Sequence, residues 1–251
     1  MLLDFYLQFP PQNIWFDKQD QKERYEEIIR HITEYLPDFV CLQECIEPFE
    51  TMLLENEVIR NTYFMSKNRL KNWYGVNILS KWPCSFLDIP YTGHSFMARS
   101  LLCARTVING LPLTVSTTHF ESSDGESGVH LRSKQMETAY AALAMHSNAL
   151  IMGDFNYDAV RGEEEAQTDI KFVDLFDFSP PGTLEYTFIP RKERLDRMLL
   201  KGRNWKPTSN YFLVGTEPLT KYAGMDIDNG WKPRSLSDHF GIISVIEFEE
   251  N

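Results

Sequence analysis

Polar residues stand directly beside short apolar runs of the sequence, at the points where buried strands would begin or end. They are Glu44, His119, Asp154, Asn156 and the pair Asp238-His239. Any one of them could simply mark the return of the chain to solvent. Because packed sheets bring the ends of several strands together around one cleft, their number in a single chain indicates a shared site.

The residue types suit metal-assisted hydrolysis of a phosphoester. The Glu44 carboxylate and an amide oxygen such as that of Asn13 would make a hard-oxygen Mg²⁺ site with room for water and phosphate. Asp154 could take a proton from the attacking water, and Asn156, two residues further on, could orient that water. His239 could stabilise the reacting phosphate or assist the leaving group.

A histidine in that role needs a partner that fixes its tautomer. Asp196 is the candidate, because it stands in Arg194-Leu195-Asp196-Arg197 just before an apolar run. Its two arginine neighbours leave an ordinary ion-pair role open as well. Glu44 follows four apolar residues and a glutamine, where an unpaired buried charge would be costly, and this favours a ligand role for it.

Two predicted helices help to position these residues. Apolar residues recur at three- and four-residue steps from Tyr25 to Leu36 and predict a helix that Pro37 ends. A second helix is predicted from about residue 130 to residue 146, with Leu131, Met136 and other apolar residues on one face.

Apolar runs between turn signals predict short buried strands. These runs are residues 39–42, 76–80, 149–152, 195–200, 211–214 and 241–248. The clearest local pattern is Asn109-Gly110 between two apolar runs, because Asn-Gly supplies the two positive-φ residues of a type I′ hairpin turn. Pro10-Pro11 precedes Asn13 and cannot donate ladder hydrogen bonds, so the first strand is expected to be short or irregular. The mixture predicts one α/β domain.

The composition excludes several classes of protein. With 251 residues, 43% of them hydrophobic, the chain can bury a full core and is not mainly disordered. A net charge of −11 argues against a nonspecific coat on polyanions. Four cysteines without C-x-x-C spacing predict reduced thiols inside the cell. Since neither a signal peptide nor an apolar run of ~18 residues is evident, a soluble intracellular protein without a membrane partner is expected.

Five motifs occur in the order in which the endonuclease/exonuclease/phosphatase superfamily carries them. They are Leu42-Gln43-Glu44, Thr118-His119-Phe120-Glu121-Ser122, Gly153-Asp154-Phe155-Asn156, Arg194-Leu195-Asp196-Arg197 and Ser237-Asp238-His239-Phe240-Gly241. The chain resembles this superfamily from Asn13 to about Phe248. The resemblance implies a four-layer α/β sandwich, in which two β-sheets pack face to face with helices outside, as a single catalytic domain over residues 1–251. It also implies Mg²⁺-dependent cleavage of a phosphoester by water, with Mn²⁺ as a substitute.

Within the superfamily the chain resembles the tyrosyl-DNA phosphodiesterase 2 family. The motifs that carry this resemblance are Asn13-Ile14-Trp15-Phe16-Asp17, Phe96-Met97-Ala98-Arg99-Ser100-Leu101-Leu102, the Thr-His-Phe-Glu-Ser stretch and Tyr186-Thr187-Phe188. Catalytic roles are thereby implied for Asp154, Asn156, His239, Asp196 and His119, and metal binding for Glu44 and Asn13. The residues implied to bind the 5′ end of DNA are Tyr74, Arg99, Glu121, Ser122, Ser123, Phe188 and Leu195. The expected protein is a monomer, nuclear or cytoplasmic in a eukaryote, that hydrolyses 5′-phosphotyrosyl-DNA in DNA repair.

Three residues depart from the family's pattern. Trp15 stands where the family has an aspartate, so metal binding would rest more on Glu44. Asp158 stands where closer relatives carry an arginine near the scissile phosphate. Phe188 replaces a tryptophan, which keeps a face for stacking on a base but loses an N–H donor.

Other functions remain open from the sequence. Gly153–Tyr157 is close to the inositol polyphosphate 5-phosphatase motif, although the tryptophan and arginine that flank that motif are absent. An apurinic-site endonuclease, an RNA 3′-exonuclease or a catalytically silent binding module are further alternatives. Residues 191–206 carry seven basic side chains, which form either a solvated surface or a track for a nucleic-acid backbone. Tyr74 and Phe188 could equally be buried in the core.

Overall fold

Two layers of β-sheet face each other between two layers of helix in the computed structural model of this chain. The structure describes residues 6–9, 11–66, 74–157, 171–219 and 235–249. The strands are β1 (Tyr6–Phe9), β2 (Pro11–Asn13), β3 (Phe39–Cys45), β4 (Phe64–Met65), β5 (Gly75–Ser80), β6 (Ser85–Pro90), β7 (Ser100–Ile108), β8 (Leu111–His119), β9 (Asn148–Asp154), β10 (Val173–Asp174), β11 (Asp196–Gly202), β12 (Trp205–Val214) and β13 (Gly241–Phe248). The helices are α1 (Gln21–Tyr35), α2 (Glu47–Glu55), α3 (Glu57–Thr62) and α4 (Gly125–Leu143), with a 3₁₀ helix at Leu175–Phe178.

One β-layer is a six-stranded sheet in the order β10-β11-β9-β8-β7-β6. Strands β8 and β9 run parallel, and the other neighbours are antiparallel. The register places His119 opposite Asp154 on one side and Asp196 opposite Asp154 on the other. Three of the predicted site residues are therefore aligned across three neighbouring strands by backbone pairing alone.

The other β-layer consists of two ladders that the N-terminal strands connect. Strand β1 pairs with β13 in a three-stranded ladder, and β2 pairs in parallel with β3 in a four-stranded one. The Gln12 side chain, in β2, donates to the main-chain oxygens of Asn13 and of His239, just ahead of β13. The start of the sheet is thus two short strands, of four and three residues, with different partners.

Successive side chains of a strand point to opposite faces of the sheet, and this divides the apolar residues between three cores. In β3, Phe39 and Cys41 face the core between the sheets, while Val40 and Leu42 pack with α1 and α2. In β9, Leu150 and Met152 face the same inner core, while Ala149 and Ile151 pack beneath α4. Strands buried on both faces read as continuous apolar runs, which explains why these segments carry no polar alternation. The expected four-layer α/β sandwich is confirmed.

The predicted end of the first helix and the predicted hairpin agree closely with the structure. Helix α1 ends at Tyr35, where Leu36 adopts a left-handed φ of 44° before Pro37 and its N–H bonds to the carbonyl of Ile32. Strands β7 and β8 form the predicted hairpin, with φ values of 52° at Asn109 and 81° at Gly110.

Helix α4 begins at Gly125, ahead of the predicted start at about residue 130, and ends at Leu143. Two glycines in its first turns conceal this start, because glycine is a weak helix former. Gly128 is required there, since a Cβ at this position would lie 1.8 Å from the Ser123 carbonyl oxygen. Helices α2 and α3 and the edge strand β6 were not predicted, because few of their side chains are buried and their apolar periodicity is weak.

All four cysteines are free thiols in the structure. Across the described ranges, none of the helices is both long enough and apolar enough to cross a membrane.

Candidate active site

Asp154 forms the centre of the site at the C-terminal end of β9, where only 1% of its surface is exposed. Its Oδ2 accepts a hydrogen bond from Asn13 Nδ2 at 3.1 Å and lies 3.4 Å from His119 Nε2 and 3.7 Å from His239 Nε2. Its Oδ1 accepts from the backbone N–H of Asn156 at 2.8 Å. Residues from β2, β8 and the segment before β13 therefore converge on one carboxylate oxygen.

The backbone around Asp154 allows this close approach. Gly153 has φ of 137°, and a Cβ there would lie 2.1 Å from the carbonyl oxygen of Thr118. Glycine is thus required for β9 to pass β8 at this point. Asn156 has φ of 47°, and its Nδ2 donates to the carbonyl of Phe120 at 3.1 Å. The Gly-Asp-x-Asn motif therefore forms the turn that follows β9 and also places the Asp154 carboxylate at the end of the strand.

Asp196 is the hydrogen-bond partner of His239. His239 Nδ1 and Asp196 Oδ2 are 2.7 Å apart, and both side chains are buried. The N–H of Asp196 in turn donates to the Thr187 hydroxyl at 3.0 Å. The neighbouring Arg194 bonds to Asp174 instead. The contact expected between Asp196 and His239 is present, which leaves His239 Nε2 facing Asp154.

The electrostatics of this group favour an ionised pair. Burial alone would lower the pKa of His239, but the carboxylates of Asp196 and Asp154 raise it to about 10. Burial alone would raise the pKa of Asp154, but the imidazoles of His239 and His119 and hydrogen bonds from Asn156 and Asn13 lower it below the usual value. At neutral pH the centre therefore holds an imidazolium beside a carboxylate.

His119 differs from His239 in charge. Burial and the Arg99 guanidinium hold the pKa of His119 well below its usual value. Arg99 Nη1 lies 2.7 Å from His119 Nδ1, and since a guanidinium can only donate, Nδ1 is the acceptor. The proton of this neutral imidazole is then on Nε2, which faces Asp154. Arg99 also lies over the Tyr74 ring, with Cζ 5.0 Å from the ring centroid.

Glu44 lies beside Asp154 because β3 is irregular where it ends. The pairing of β3 with β5 shifts between Leu42 and Cys45, and Glu44 has a left-handed φ of 60°. Asn13 Nδ2 donates to Glu44 Oε1 at 3.2 Å as well as to Asp154, so one amide bridges the two carboxylates. The N–H of Phe16 donates to Glu44 Oε2 at 3.1 Å.

The donor set fits a hard divalent cation. Burial and the nearby Asp238 raise the pKa of Glu44 to about 7, so its carboxylate would gain from a positive ion. Ligand atoms of Asp154, Asp196 and His239 also lie within 4.8 Å of one another and could hold a metal ion. However, the atoms of His239 and Asp196 that face each other are already joined by a hydrogen bond. The oxygen-rich side, with Glu44 and Asp154, is the better match for Mg²⁺ or Mn²⁺. The amide oxygen predicted as a ligand, Asn13 Oδ1, instead accepts from the Trp15 N–H, and Asn13 turns its NH2 group to the two carboxylates.

The sequence matches the Endonuclease/Exonuclease/phosphatase family over residues 12–239, a range that contains every candidate catalytic and metal-binding residue. The chain belongs to this family. Its members are named for the cleavage of phosphoester bonds, so the motifs identified from the sequence led to the right class of hydrolase.

The relatives agree on one branch of the family. Tyrosyl-DNA phosphodiesterase 2 from Bos taurus is 25% identical, and the alignment covers 92% of this chain and 65% of that protein. The protein of the same name from Xenopus tropicalis is 26% identical, with 90% of this chain and 62% of that protein covered. The chain thus spans just under two thirds of the length of these curated relatives.

Solved structures share the fold. The crystal structure of D. rerio TDP2 complexed with single strand DNA product has a TM-score of 0.79 at 22% identity, with 97% of this chain and 99% of that chain covered. That of TDP2 from C. elegans also has a TM-score of 0.79, at 18% identity, with 98% and 76% covered.

Trp15, the departure from the family's aspartate, packs within the loop after β2. Its N–H donates to Asn13 Oδ1 at 3.0 Å, and its ring lies over the Arg24 guanidinium at 4.7 Å. Arg24 is buried in α1 and donates to the main-chain oxygens of this loop, which belong to Ile14, Trp15, Asp17 and Gln19. The loop that presents the Phe16 N–H to Glu44 is therefore held by Arg24, together with Gln21, whose Nε2 donates to the carbonyls of Phe16 and Asp17. Asp158, the other acidic departure, lies outside the described residues.

Phe188 borders the centre on the side of His239. It is bridged to both His239 and Glu193, and its ring centroid lies 4.9 Å from that of His239. The guanidinium carbon of Arg191 lies 4.9 Å from the same ring centroid. Phe188 is partly exposed, which leaves its predicted role in substrate binding open to test.

Glu121 is buried, and its oxygens face a loop of the protein. Oε1 accepts from the Phe96 N–H at 3.0 Å, and Oε2 accepts from Ser95 Oγ at 2.8 Å and Gln135 Nε2 at 3.2 Å. Glu121 would therefore affect the substrate through the loop before Arg99, which its oxygens hold.

The remaining predicted substrate residues differ in exposure. Ser122 is exposed, with its hydroxyl 3.4 Å from Met97 Sδ, and Ser123 is partly exposed, with its carbonyl bonded to Arg132. Leu195 is only 3% exposed and offers little surface to a ligand. Substrate binding by these three residues stays a prediction.

Three residues of the site were not anticipated from the sequence. Thr187 supports Asp196, Ser237 donates to the carbonyl of Asn13 at 2.7 Å and accepts from the N–H of His239, and Arg24 organises the β2–α1 loop. Thr187 and Ser237 stand inside the motifs that contain Phe188 and His239, so their place in the site could have been predicted from the sequence. The place of Arg24 could not, because an arginine within an amphipathic helix is normally a solvated side chain.

Proposed function

We propose that the chain is a Mg²⁺-dependent phosphodiesterase that hydrolyses the bond between a tyrosine and the 5′ phosphate of DNA, in DNA repair. The observation that carries the proposal is the group around Asp154 Oδ2, where Asn13, His119 and His239 approach within 3.7 Å. Residues 1–251 would act as one catalytic domain and as a monomer, within the nucleus or the cytoplasm.

Asp154 is suited to accept the proton of the attacking water. Its lowered pKa keeps it ionised at neutral pH, and its burial leaves it few competing waters. Asn156 is fixed to Asp154 and to the Phe120 carbonyl, which leaves the side-chain oxygen of Asn156 as an acceptor that can orient the water. Proton removal from water is the step that a positioned carboxylate accelerates.

The two histidines are suited to act on the phosphate. His239 is an imidazolium whose Nε2–H can donate to a phosphate oxygen as negative charge builds up, while Asp196 holds the ring through Nδ1. His119 is neutral, and its Nε2–H provides a second donor from the other side. Fixed donors of this kind need no rearrangement when the charge develops.

Glu44 and Asp154 are the residues that would hold the cation, and Asn13 would join them once its side chain turns Oδ1 from the Trp15 N–H toward the ion. When bound there, a divalent ion would polarise the phosphoryl oxygens and offset their charge. Burial and Asp238 raise the pKa of Glu44, which supports the proposal because a nearby cation would stabilise its carboxylate.

The substrate assignment rests on the relatives and on the rim of the site. The relatives named above are tyrosyl-DNA phosphodiesterases, and one solved neighbour was crystallised with single strand DNA product. The centre has aromatic and cationic groups on both sides, with Tyr74 and Arg99 beside His119 and with Phe188 beside His239. A phosphodiester between a tyrosine and a nucleotide has an aromatic group on each side.

A substrate panel tests this function. Purified protein with Mg²⁺ would be given a 5′-phosphotyrosyl oligonucleotide, an abasic duplex, oligo(A) RNA and inositol polyphosphates. We expect release of tyrosine and a 5′-phosphorylated oligonucleotide, with a kcat/KM at least tenfold above that for the other substrates. Faster cleavage of inositol polyphosphates would overturn the substrate, and no cleavage of any of them would favour a binding module.

A further inference from the structure

A tight turn brings Arg191 to the aromatic side of the active site. Phe188 and Glu193 pair across this turn through two main-chain hydrogen bonds of 2.9 and 3.3 Å. The Phe188 ring lies 4.9 Å from the imidazole of His239, and the Arg191 guanidinium carbon lies 4.9 Å from that same ring. Arg191 is therefore no more than two such steps from the catalytic centre.

The Arg191 guanidinium is held in place although its side chain is 43% exposed. Its Nε donates to Oε2 of the buried Glu193 at 2.7 Å, while its flat face rests on Phe188. A guanidinium has five N–H donors in a rigid fork, and Glu193 takes the Nε donor. Because the fork is already oriented, a ligand with two oxygens would bind it with a small loss of entropy.

Other basic side chains of residues 191–206 are directed to the protein. Arg194 and Arg197 both pair with Asp174, at 2.7 and 3.4 Å. Lys201 donates to the carbonyl of Ala144 at the end of α4. The segment is thus a poor match for a continuous basic track. Arg191 also has an acidic partner, Glu193, and differs from these residues in its position over Phe188 beside the catalytic centre.

We propose that Arg191 binds a backbone phosphate of the DNA strand within about two nucleotides of the scissile phosphate. The distance supports this range, because two steps of 4.9 Å reach no further than one or two phosphates of a strand, whose consecutive phosphates lie farther apart than the ~3.4 Å axial rise of the duplex. In a chain of net charge −11, one oriented cation is what would keep the strand at this edge. The inference rests on the proposed function. It assigns DNA contact to the stacked pair of Phe188 and Arg191 and not to Phe188 alone.

A length series of substrates tests the inference. Wild type and Arg191→Ala would be compared on 5′-phosphotyrosyl substrates of one, two, three, four and six nucleotides. We expect the rise in KM caused by Arg191→Ala to grow with length and to reach about twofold to fivefold, roughly the value of one exposed charge pair, by four nucleotides. The slope of log KM against log salt should fall by ~0.7, as for one lost phosphate contact on a single strand.

A matched control variant is Arg30→Ala. Arg30 is also 43% exposed and paired with glutamates, but it lies on the outer face of α1. The Arg30→Ala variant loses the same charge, and its KM should equal that of wild type at every substrate length. A similar rise in KM for Arg30→Ala would show a general effect of net charge and would overturn the inference.

Two further measurements separate the outcomes. If abasic positions at the second and third nucleotides abolish the effect of Arg191→Ala, the arginine stacks on bases and the phosphate contact is wrong. Fluorescence anisotropy with a 5′-phosphorylated oligonucleotide measures binding without turnover. If no tyrosyl substrate is cleaved but this affinity still depends on Arg191, the proposed function fails and the inference stands; equal affinities would overturn the inference itself.

Discussion

The centre and the rim of the candidate active site are built in opposite ways. The centre consists of buried residues at strand ends that are joined by hydrogen bonds and ion pairs, such as His239 with Asp196 and with Asp154. The rim consists of turns and loops, where Arg191 is 43% exposed on its side chain and Phe96 is 83% exposed. Sheet register therefore aligns the buried centre, while exposed turns and loops form the rim.

This contrast predicts that damage to the centre lowers kcat and that damage to the rim raises KM. The expected effects below are ordered from the largest to the smallest.

Removal of divalent cations should abolish activity. The oxygens of Glu44 and Asp154 repel each other and the substrate phosphate unless a cation lies among them. Activity would be measured in excess EDTA and after addition of Mg²⁺, Mn²⁺ or Ca²⁺, with Mg²⁺ and Mn²⁺ expected to restore it. Full turnover in EDTA would show that the centre works without a metal.

The variants Asp154→Asn and His239→Ala should each lower kcat by ~10²-fold or more, because each removes a group that moves or holds a proton. KM should change less than kcat. Asp177→Asn, which alters an exposed carboxylate on the 3₁₀ helix, is the control. Asp177→Asn should unfold at the temperature of wild type, whereas His239→Ala should unfold earlier because it leaves Asp196 buried without its partner. A variant that still unfolds cooperatively and keeps near-normal kcat would exclude the role assigned to that residue.

Asp196→Asn should lower kcat by at least ~10-fold and should move the alkaline limb of the pH–rate profile to lower pH. The carboxylate of Asp196 is a main reason that the pKa of His239 is raised to about 10, so without it the imidazolium loses its proton earlier. Asp174→Asn is the matched control, since Asp174 pairs with Arg194 and Arg197 and has no bond to His239 among the described contacts.

The same pair has a signature in stability. Because the pKa of His239 is raised above its usual value of 6.5, its stabilising contribution is complete below pH 6.5 and is lost as pH rises toward 10. The difference in unfolding free energy between wild type and Asp196→Asn should shrink over that interval in denaturant titrations. A difference that is constant with pH would argue against an ionic His239–Asp196 pair.

Phe188→Ala should raise KM for a 5′-phosphotyrosyl oligonucleotide by about tenfold, since stacking contacts of this kind contribute ~1–3 kcal/mol. It should hardly affect a small chromogenic phosphotyrosyl-type diester that has no base. Phe178→Ala, at an exposed phenylalanine of the 3₁₀ helix, is the control. Equal losses on both substrates would mean that Phe188 mainly supports the His239 ring.

The sequence predicted most of the centre because strand ends leave a local signature. Asp154 and His239 each adjoin an apolar run, and the partner of His239 could be inferred because an aspartate precedes another such run. The register that aligns Asp196, Asp154 and His119 has no such signature, since pairing between distant strands depends on the whole sheet. The left-handed Glu44 at the irregular end of β3 was hidden for the same reason.

The rim was harder to predict than the centre. Phe188 is predicted to stack on a base, and nothing in the sequence indicated that Arg191 lies over its ring, because the turn that brings Arg191 there depends on the pairing of Phe188 with Glu193. Glu121 is predicted to bind substrate, and its hydrogen bonds to the loop before Arg99 could not be predicted because bonds from backbone N–H groups follow no pattern of residue types. Short elements of low burial, such as β6 and α2, were missed since their periodicity is weak.

The buried Arg24 ties the order of the active-site loop to the docking of a helix. Its guanidinium bonds to main-chain oxygens on both sides of Phe16, whose own N–H reaches Glu44. If α1 detaches from the sheet, these carbonyls lose their donor, and the amide of Phe16 becomes free to exchange with solvent. The protons of Trp15, Phe16 and α1 should therefore exchange as one cooperative unit, with a protection that rises when a cation occupies the neighbouring carboxylates.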